Sequence, residues 1–199
     1  MEPGATPYPI ALAVDPPPTI ARWRPFVHWL LAFPHFVVLY LLGLVAGVCS
    51  VVAWFVILFT GNLPDGLANV QALYLRYSQR VGTYVLFVRE EYPPFAFDVV
   101  VSDPGDDPRV RVDVVPQLTD RNRLTVFFRS LMVLPHAIVL AFLAIGLSIV
   151  SVIAAFAVLF TGRWPQGMLD YALGVLRWGN RLSGYQNLLT DEYPPFSLD

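Results

Sequence analysis

From Pro25 to Pro64 the chain reads PFVHWLLAFPHFVVLYLLGLVAGVCSVVAWFVILFTGNLP, and from Ser130 to Gly162 it reads SLMVLPHAIVLAFLAIGLSIVSVIAAFAVLFTG. Forty residues and then 33 pass without one Asp, Glu, Lys or Arg. A helix that spans a bilayer needs about 20 residues. Each run is therefore too long for one such helix and tight for two. The rest of the composition agrees with a membrane class. Of 199 residues 56% are apolar and 14% charged, against about 25% charged in soluble proteins.

The two runs are the centres of an internal repeat with an offset of 101 residues. Pro34-His35 matches Pro135-His136, and Leu58-Phe59-Thr60-Gly61 matches Leu159-Phe160-Thr161-Gly162. Arg76, Arg80 and Tyr84 match Arg177, Arg181 and Tyr185. Glu91-Tyr92-Pro93-Pro94-Phe95 matches Glu192-Tyr193-Pro194-Pro195-Phe196, with Asp191 completing the second acidic box. No gap is needed from Pro34 to Phe95, and 24 of those 62 positions are identical. Because the matches include His, Arg, Tyr and Pro, apolar low complexity does not account for them.

The expected layout is repeat 1 over 1–101, a turn over 102–108 and repeat 2 over 109–199. Each repeat is read as a strand, an apolar segment (22–61 or 123–162), an amphipathic helix (65–88 or 166–189) and the Tyr-Pro-Pro-Phe box, with a further strand after the first box. Arginine placement sets the expected number of crossings. One crossing per repeat puts the middle segment, with eight of the 13 arginines, outside, against the positive-inside rule. Two crossings put every arginine on the cytoplasmic side, with Gly43, Gly47 and Gly146 where a reversal is wanted. The sequence thus predicts helical hairpins, 22–42 with 47–61 and 123–144 with 147–162, and both termini in the cytoplasm. A single tilted helix and a shallow hairpin are the competing geometries.

Asp170, Arg177 and Arg181, like Asn69, Arg76 and Arg80, fall on one stripe of a helix. With aromatic and aliphatic residues on the other faces, these helices are expected to lie in the membrane interface. Alternation at Tyr8, Ile10, Leu12 and Val14, at Phe97, Val99 and Val101, and at Val110, Val112 and Val114 predicts strands. The turn formers Asp103 to Pro108 suggest a β-hairpin between the last two. The first strand and the final residues, Phe196 to Asp199, could join it in one small cytoplasmic sheet. Met1 to Pro18 has no basic region and no apolar core, unlike a cleavable signal peptide.

His35 and His136 invite a proton or metal reading, but one His per repeat with no acidic or thiol neighbour makes a poor site. A structural role beside a proline kink is preferred. Arg76, Arg80, Arg177 and Arg181 suit either lipid phosphate or ion pairs with Glu90, Glu91, Asp191 and Glu192. The proline boxes read as helix stops that force an extended exit. Cys49, the single cysteine, excludes an internal disulfide. No phosphate loop, nucleophile elbow, zinc helix or Cys-x-x-Cys motif is present, so no catalytic residue, metal or cofactor is assigned. A net charge of −2 without lysine offers nothing to nucleic acid.

The order Leu31…Pro34-His35, Leu-Phe-Thr-Gly before a proline, Arg-x-x-x-Arg with a following Tyr, and Asp191-Glu192-Tyr193-Pro194-Pro195-Phe196 resembles the bacterial, mainly actinobacterial, membrane proteins grouped as domain of unknown function 4389. Two copies cover nearly the whole chain. The first departs from the second at Asn62-Leu63, against Arg163-Trp164, and at Glu90, against Asp191. The resemblance implies a bacterial plasma membrane location and carries no activity. The expected function is a non-enzymatic membrane scaffold or accessory subunit that meets lipid, a larger complex or another copy of itself. A small transporter or channel is the alternative, and an intramembrane enzyme a distant third.

Overall fold

The computed structural model describes residues 8–199; the predicted features of Met1 to Pro7 lie outside them. The elements in chain order are β1 (Ile10–Val14), α1 (Arg24–Leu31), α2 (Phe33–Thr60), α3 (Asp65–Val85), β2 (Val110–Val114), α4 (Arg123–Phe127), α5 (Arg129–Thr161) and α6 (Gln166–Gln186). The two-repeat plan is thus present as two sets of matching elements. The chain is mostly helical with one small sheet.

The predicted hairpins are absent. Segments 22–61 and 123–162 each form one long rod, broken near its start at Ala32 or Phe128 and then unbroken to Thr60 or Thr161. Gly43 and Gly146 are not turns but seats for tyrosine. The Tyr74 ring packs on Gly43, and a Cβ at Gly146 would stand 2.6 Å from the Tyr171 hydroxyl, which donates to the Leu143 carbonyl. Glycine lowers helix stability, but without turn chemistry around it an apolar helix continues through it. Reversal comes instead at Gly61 and Gly162, whose φ values of 77° and 71° end α2 and α5. That left-handed conformation is cheapest for glycine.

The two rods run antiparallel. Ile20 at the start of the first donates to the carbonyl of Gly162 at the end of the second (2.7 Å), and Arg121 donates in the same way to Gly61 (3.0 Å). Accordingly α1 packs on α5 and α4 on α2. Against them pack α3 and α6, each folded back along its own rod and in contact with the other. A pseudo-twofold axis relates the halves.

The sheet straddles that axis. β1 pairs antiparallel with β2, Leu12 opposite Val112. Each strand packs on the other repeat's helix, β1 on α6 and β2 on α3. Reciprocal bonds from Asp15 to the Arg109 carbonyl (2.9 Å) and from Val115 to the Pro9 carbonyl (2.8 Å) extend the exchange. The expected strands at 97–101 and 196–199 do not form. Two backbone carbonyls in each are taken by an arginine side chain, as described below, in competition with a ladder.

The layers are therefore sheet, then α3 and α6, then the rods. Burial runs against hydropathy. In α2 the fully buried positions are His35, Ala46, Ala53 and Ile57, a single stripe facing α3, while Phe36, Tyr40, Leu44, Val48, Phe55 and Phe59 stand exposed. On α5, Leu134, Ile138, Phe142, Ile145, Ile149, Phe156 and Phe160 are likewise open. By contrast α3, which carries Arg76 and Arg80, is mostly buried beyond its first turn, with the stripe Val70, Tyr74, Ser78, Gly82 and Val85 half-open. Within the fold α3 and α6 are covered by the sheet and the rods, α3 more fully than α6, whose Asp170 and Gln186 are exposed.

Candidate functional site

The repeated polar residues gather in two equivalent sites, one per repeat, where the Pro-His motif, the arginine helix and the Tyr-Pro-Pro-Phe box meet. His35 Nδ1 lies 2.7 Å from the Tyr77 hydroxyl, and His136 Nδ1 accepts from the indole N–H of Trp178 at 3.0 Å. An indole N–H only donates, so His136 is neutral with its proton on Nε2. The box covers the other side of each imidazole. Phe95 stacks on His35 at 4.3 Å between centroids and Phe196 on His136 at 3.8 Å.

The box tyrosines reach the backbone just ahead of each Pro-His pair. A proline in a helix withholds one N–H and pushes the preceding turn open. The Tyr92 hydroxyl donates to the Leu31 carbonyl (3.1 Å) and the Tyr193 hydroxyl to that of Met132 (3.0 Å), in both cases three residues before the proline. The structural role expected of the histidines therefore takes a different form. Their partners are side chains of α3 and α6, and the tyrosines, not the histidines, bond to the nearby backbone. His35 and His136 sit near the N-termini of antiparallel helices, at opposite ends of the molecule.

The arginines do not pair with the box acids. Arg76 donates to the carbonyls of Asp98 (2.9 Å) and Val101 (3.0 Å). Arg181 donates to those of Ser197 and Asp199. Each clamps the segment that leaves a Pro-Pro box, in competition with strand pairing. Burial pulls the affinity of both guanidinium groups for the proton below its ordinary value. Arg80 faces Asp103 (3.4 Å) and Asp106 (3.8 Å) in the expected turn, and Arg177 lines a groove beside β1 with Arg181 and Asp199.

The box acids hold the starts of the rods instead. Glu90 accepts from the Ala21 amide and Asp191 from the equivalent Asn122 amide (2.7 Å). Asp191 also binds Arg121 (2.6 Å) and Arg129. Burial pushes the Asp191 carboxyl up, but the Arg121 hydrogen bond, the Asn122 amide and the two positive charges outweigh it and hold it below the ordinary range. Glu91 pairs with Arg109 at 2.8 Å, and the Glu192 carbonyl accepts from Tyr8.

A third matched pair escaped the sequence reading because its residue types differ. His28 and Arg129 stand 101 positions apart, and each donates to the carbonyl of the matching tyrosine, Tyr84 at 2.7 Å and Tyr185 at 2.6 Å. Each also lies on that tyrosine's ring, His28 stacked at 4.0 Å and the Arg129 guanidinium 4.3 Å above. Burial is the main reason His28 is pushed down to about 4. Extending the ungapped register six residues upstream of Pro34 would have found the pair.

The contacts of these sites tie an apolar rod to the arginine-bearing helix of its own repeat, twice over in one chain. The chain belongs to the family described as Domain of unknown function (DUF4389), whose profile matches residues 22–96 and 123–197 as two tandem copies. No curated protein and no solved structure matches it.

Proposed function

We propose that this protein is a non-enzymatic scaffold embedded in the bacterial plasma membrane, with its sheet and both termini on the cytoplasmic side. The observation that carries this reading is the inverted burial. The helices α2 and α5, each long and apolar enough to cross a membrane, form the outside, while the arginine-bearing helices form the inside. In water the hydrophobic effect drives the opposite order. An exposed apolar face this long exceeds the patches of soluble monomers and marks a membrane or partner surface.

The scaffold role rests on how the polar residues are used. His35, His136, Arg76, Arg80, Arg181 and Asp191 all end on partners within the fold, and the two histidines face no common path. That counts against a transporter, which needs polar groups converging on one route. The polar outer layer, with Ala11, Ala13, Arg111 and Asp113 on the exposed face of the sheet, is the surface offered to a larger complex or to another copy of the chain.

Fractionation of cells expressing the full chain tests the membrane reading. The protein is expected to stay in the membrane pellet through high salt and alkaline carbonate and to leave it only in detergent. Recovery in the soluble fraction overturns it. Crosslinking in intact membranes then tests the scaffold role, where a chain that captures neither a partner nor a second copy speaks against it.

A further inference from the structure

Resting on that membrane reading, we infer that the protein is monotopic: its rods lie along one phospholipid leaflet instead of crossing the bilayer. The pseudo-twofold axis runs across the rods, so whatever lies on the axis sits halfway along them. What lies there is the β1–β2 sheet. Tyr8, just before β1, bonds to Glu192 beside one end of the rods, and Asp15, just after it, pairs with Arg109 and through it Glu91 beside the other. Were α2 and α5 to cross the bilayer, the sheet would sit at its midplane.

That depth does not suit it. Among the described residues no strand covers the outer edge of β1, and on the outer edge of β2 the Val110 and Val112 amides donate to the carboxylates of Asp107 and Asp103; neither an open edge nor one capped by charge is tolerated in hydrocarbon. Arg111 and Asp113, whose side chains are 66% and 51% exposed, would face lipid tails at the midplane, where such charges are expensive. Laid flat, the same molecule keeps its sheet in water and its rods in the leaflet.

Length points the same way. At 28 and 33 residues, α2 and α5 extend roughly 42 and 50 Å, against a hydrocarbon core of about 30 Å. Exposed apolar side chains continue beyond them, from Trp23, Phe26 and Trp29 of the first rod to Leu124 and Phe127 of the second. Arg22, Arg123 and Arg163 are exposed at the ends of this face and have no carboxylate partner among the described residues. In a flat placement all three reach the phosphates of a single headgroup layer.

Single cysteines in a Cys49→Ser background test this. Gly66→Cys and Gly167→Cys mark opposite ends of the rods, at positions where a Cβ meets nothing within 4 Å, and Asp113→Cys marks the sheet. Each is treated with a membrane-impermeant maleimide in intact spheroplasts and after lysis. The expected result is that all three label only after lysis. Labelling of all three before lysis keeps the single leaflet and moves it to the outer face. Labelling of Gly66→Cys and Gly167→Cys from opposite sides, or partial labelling of both before lysis, overturns the inference while leaving the membrane reading intact. A soluble chain overturns both.

Discussion

Asp191 and Glu90 occupy the same place in the two boxes, yet they do different amounts of structural work. Asp191 lies between Arg121 and Arg129, whose side chains are 0% and 2% exposed. Glu90 reaches Arg24 only at 4.0 Å, with both side chains partly open. Removing one partner of a buried pair costs about 3 to 5 kcal/mol, because the other charge is left stranded, whereas exposed pairs contribute about 1 kcal/mol or less. Asp191→Asn is therefore expected to lower the thermal midpoint in detergent far more than Glu90→Gln, and equal effects would refute the assignment. The Asp191 carboxyl binds its proton more weakly folded than unfolded. Its stabilisation is thus complete above its ordinary value of 3.8 and is lost as pH falls below it. Asp191→Asn should remove that part of the acid sensitivity, seen as a flatter midpoint between pH 5 and 3.

At the scale of elements, the glycines divide into those that receive a side chain and those that do not. Gly146→Ala sets a methyl against the Tyr171 hydroxyl and should break its bond to Leu143, destabilising α5 against α6 by about 1 to 3 kcal/mol as overpacking does. Gly47 has nothing within 4 Å, so Gly47→Ala is expected to be neutral or slightly stabilising. Parallel melts of the two variants check this, and an unaffected Gly146→Ala would show that the tyrosine seat carries no weight. The same glycines show where the sequence was legible. The repeat, the two apolar segments, the starts of α3 and α6 and the strands at Ile10–Val14 and Val110–Val114 follow from periodicity and register. Hairpin reversals did not, because a lone glycine without turn formers around it leaves an apolar helix unbroken. The strands expected at 97–101 and 196–199 failed for another reason: Arg76 and Arg181 compete for their carbonyls, and no local pattern reveals a competitor 16 to 25 residues away. Of the site, Pro-His, arginine helix and box were all visible as repeated residues. Their pairing was not, because Tyr77 and Trp178 serve the same purpose with different side chains.

For the whole molecule, the exchange across the pseudo-twofold decides what can fold alone. Each strand packs on the other repeat's helix, each rod's start bonds to the glycine at the end of the other, and Ile10 of β1 fills the space beside Gly184 of α6 and Leu75 of α3. A single repeat would keep its rod, its arginine helix and its box, but would expose Val110, Val112 and Val114, or Ile10 and Leu12, together with the facing surface of α3 or α6. Burying a Val, Leu or Ile side chain contributes about 1.5 to 3 kcal/mol, and a domain's net stability is only about 5 to 15 kcal/mol. Loss of three to five such contacts therefore consumes the margin. Residues 1–105 and 106–199 expressed separately are expected to be degraded or aggregated. Expressed together they should copurify as a folded pair, since Gly105 is an exposed turn with φ 80° and the cut leaves the strand exchange intact. A first half that yields a cooperative melt by itself would show that the repeats are independent units and that the exchange is incidental to their stability.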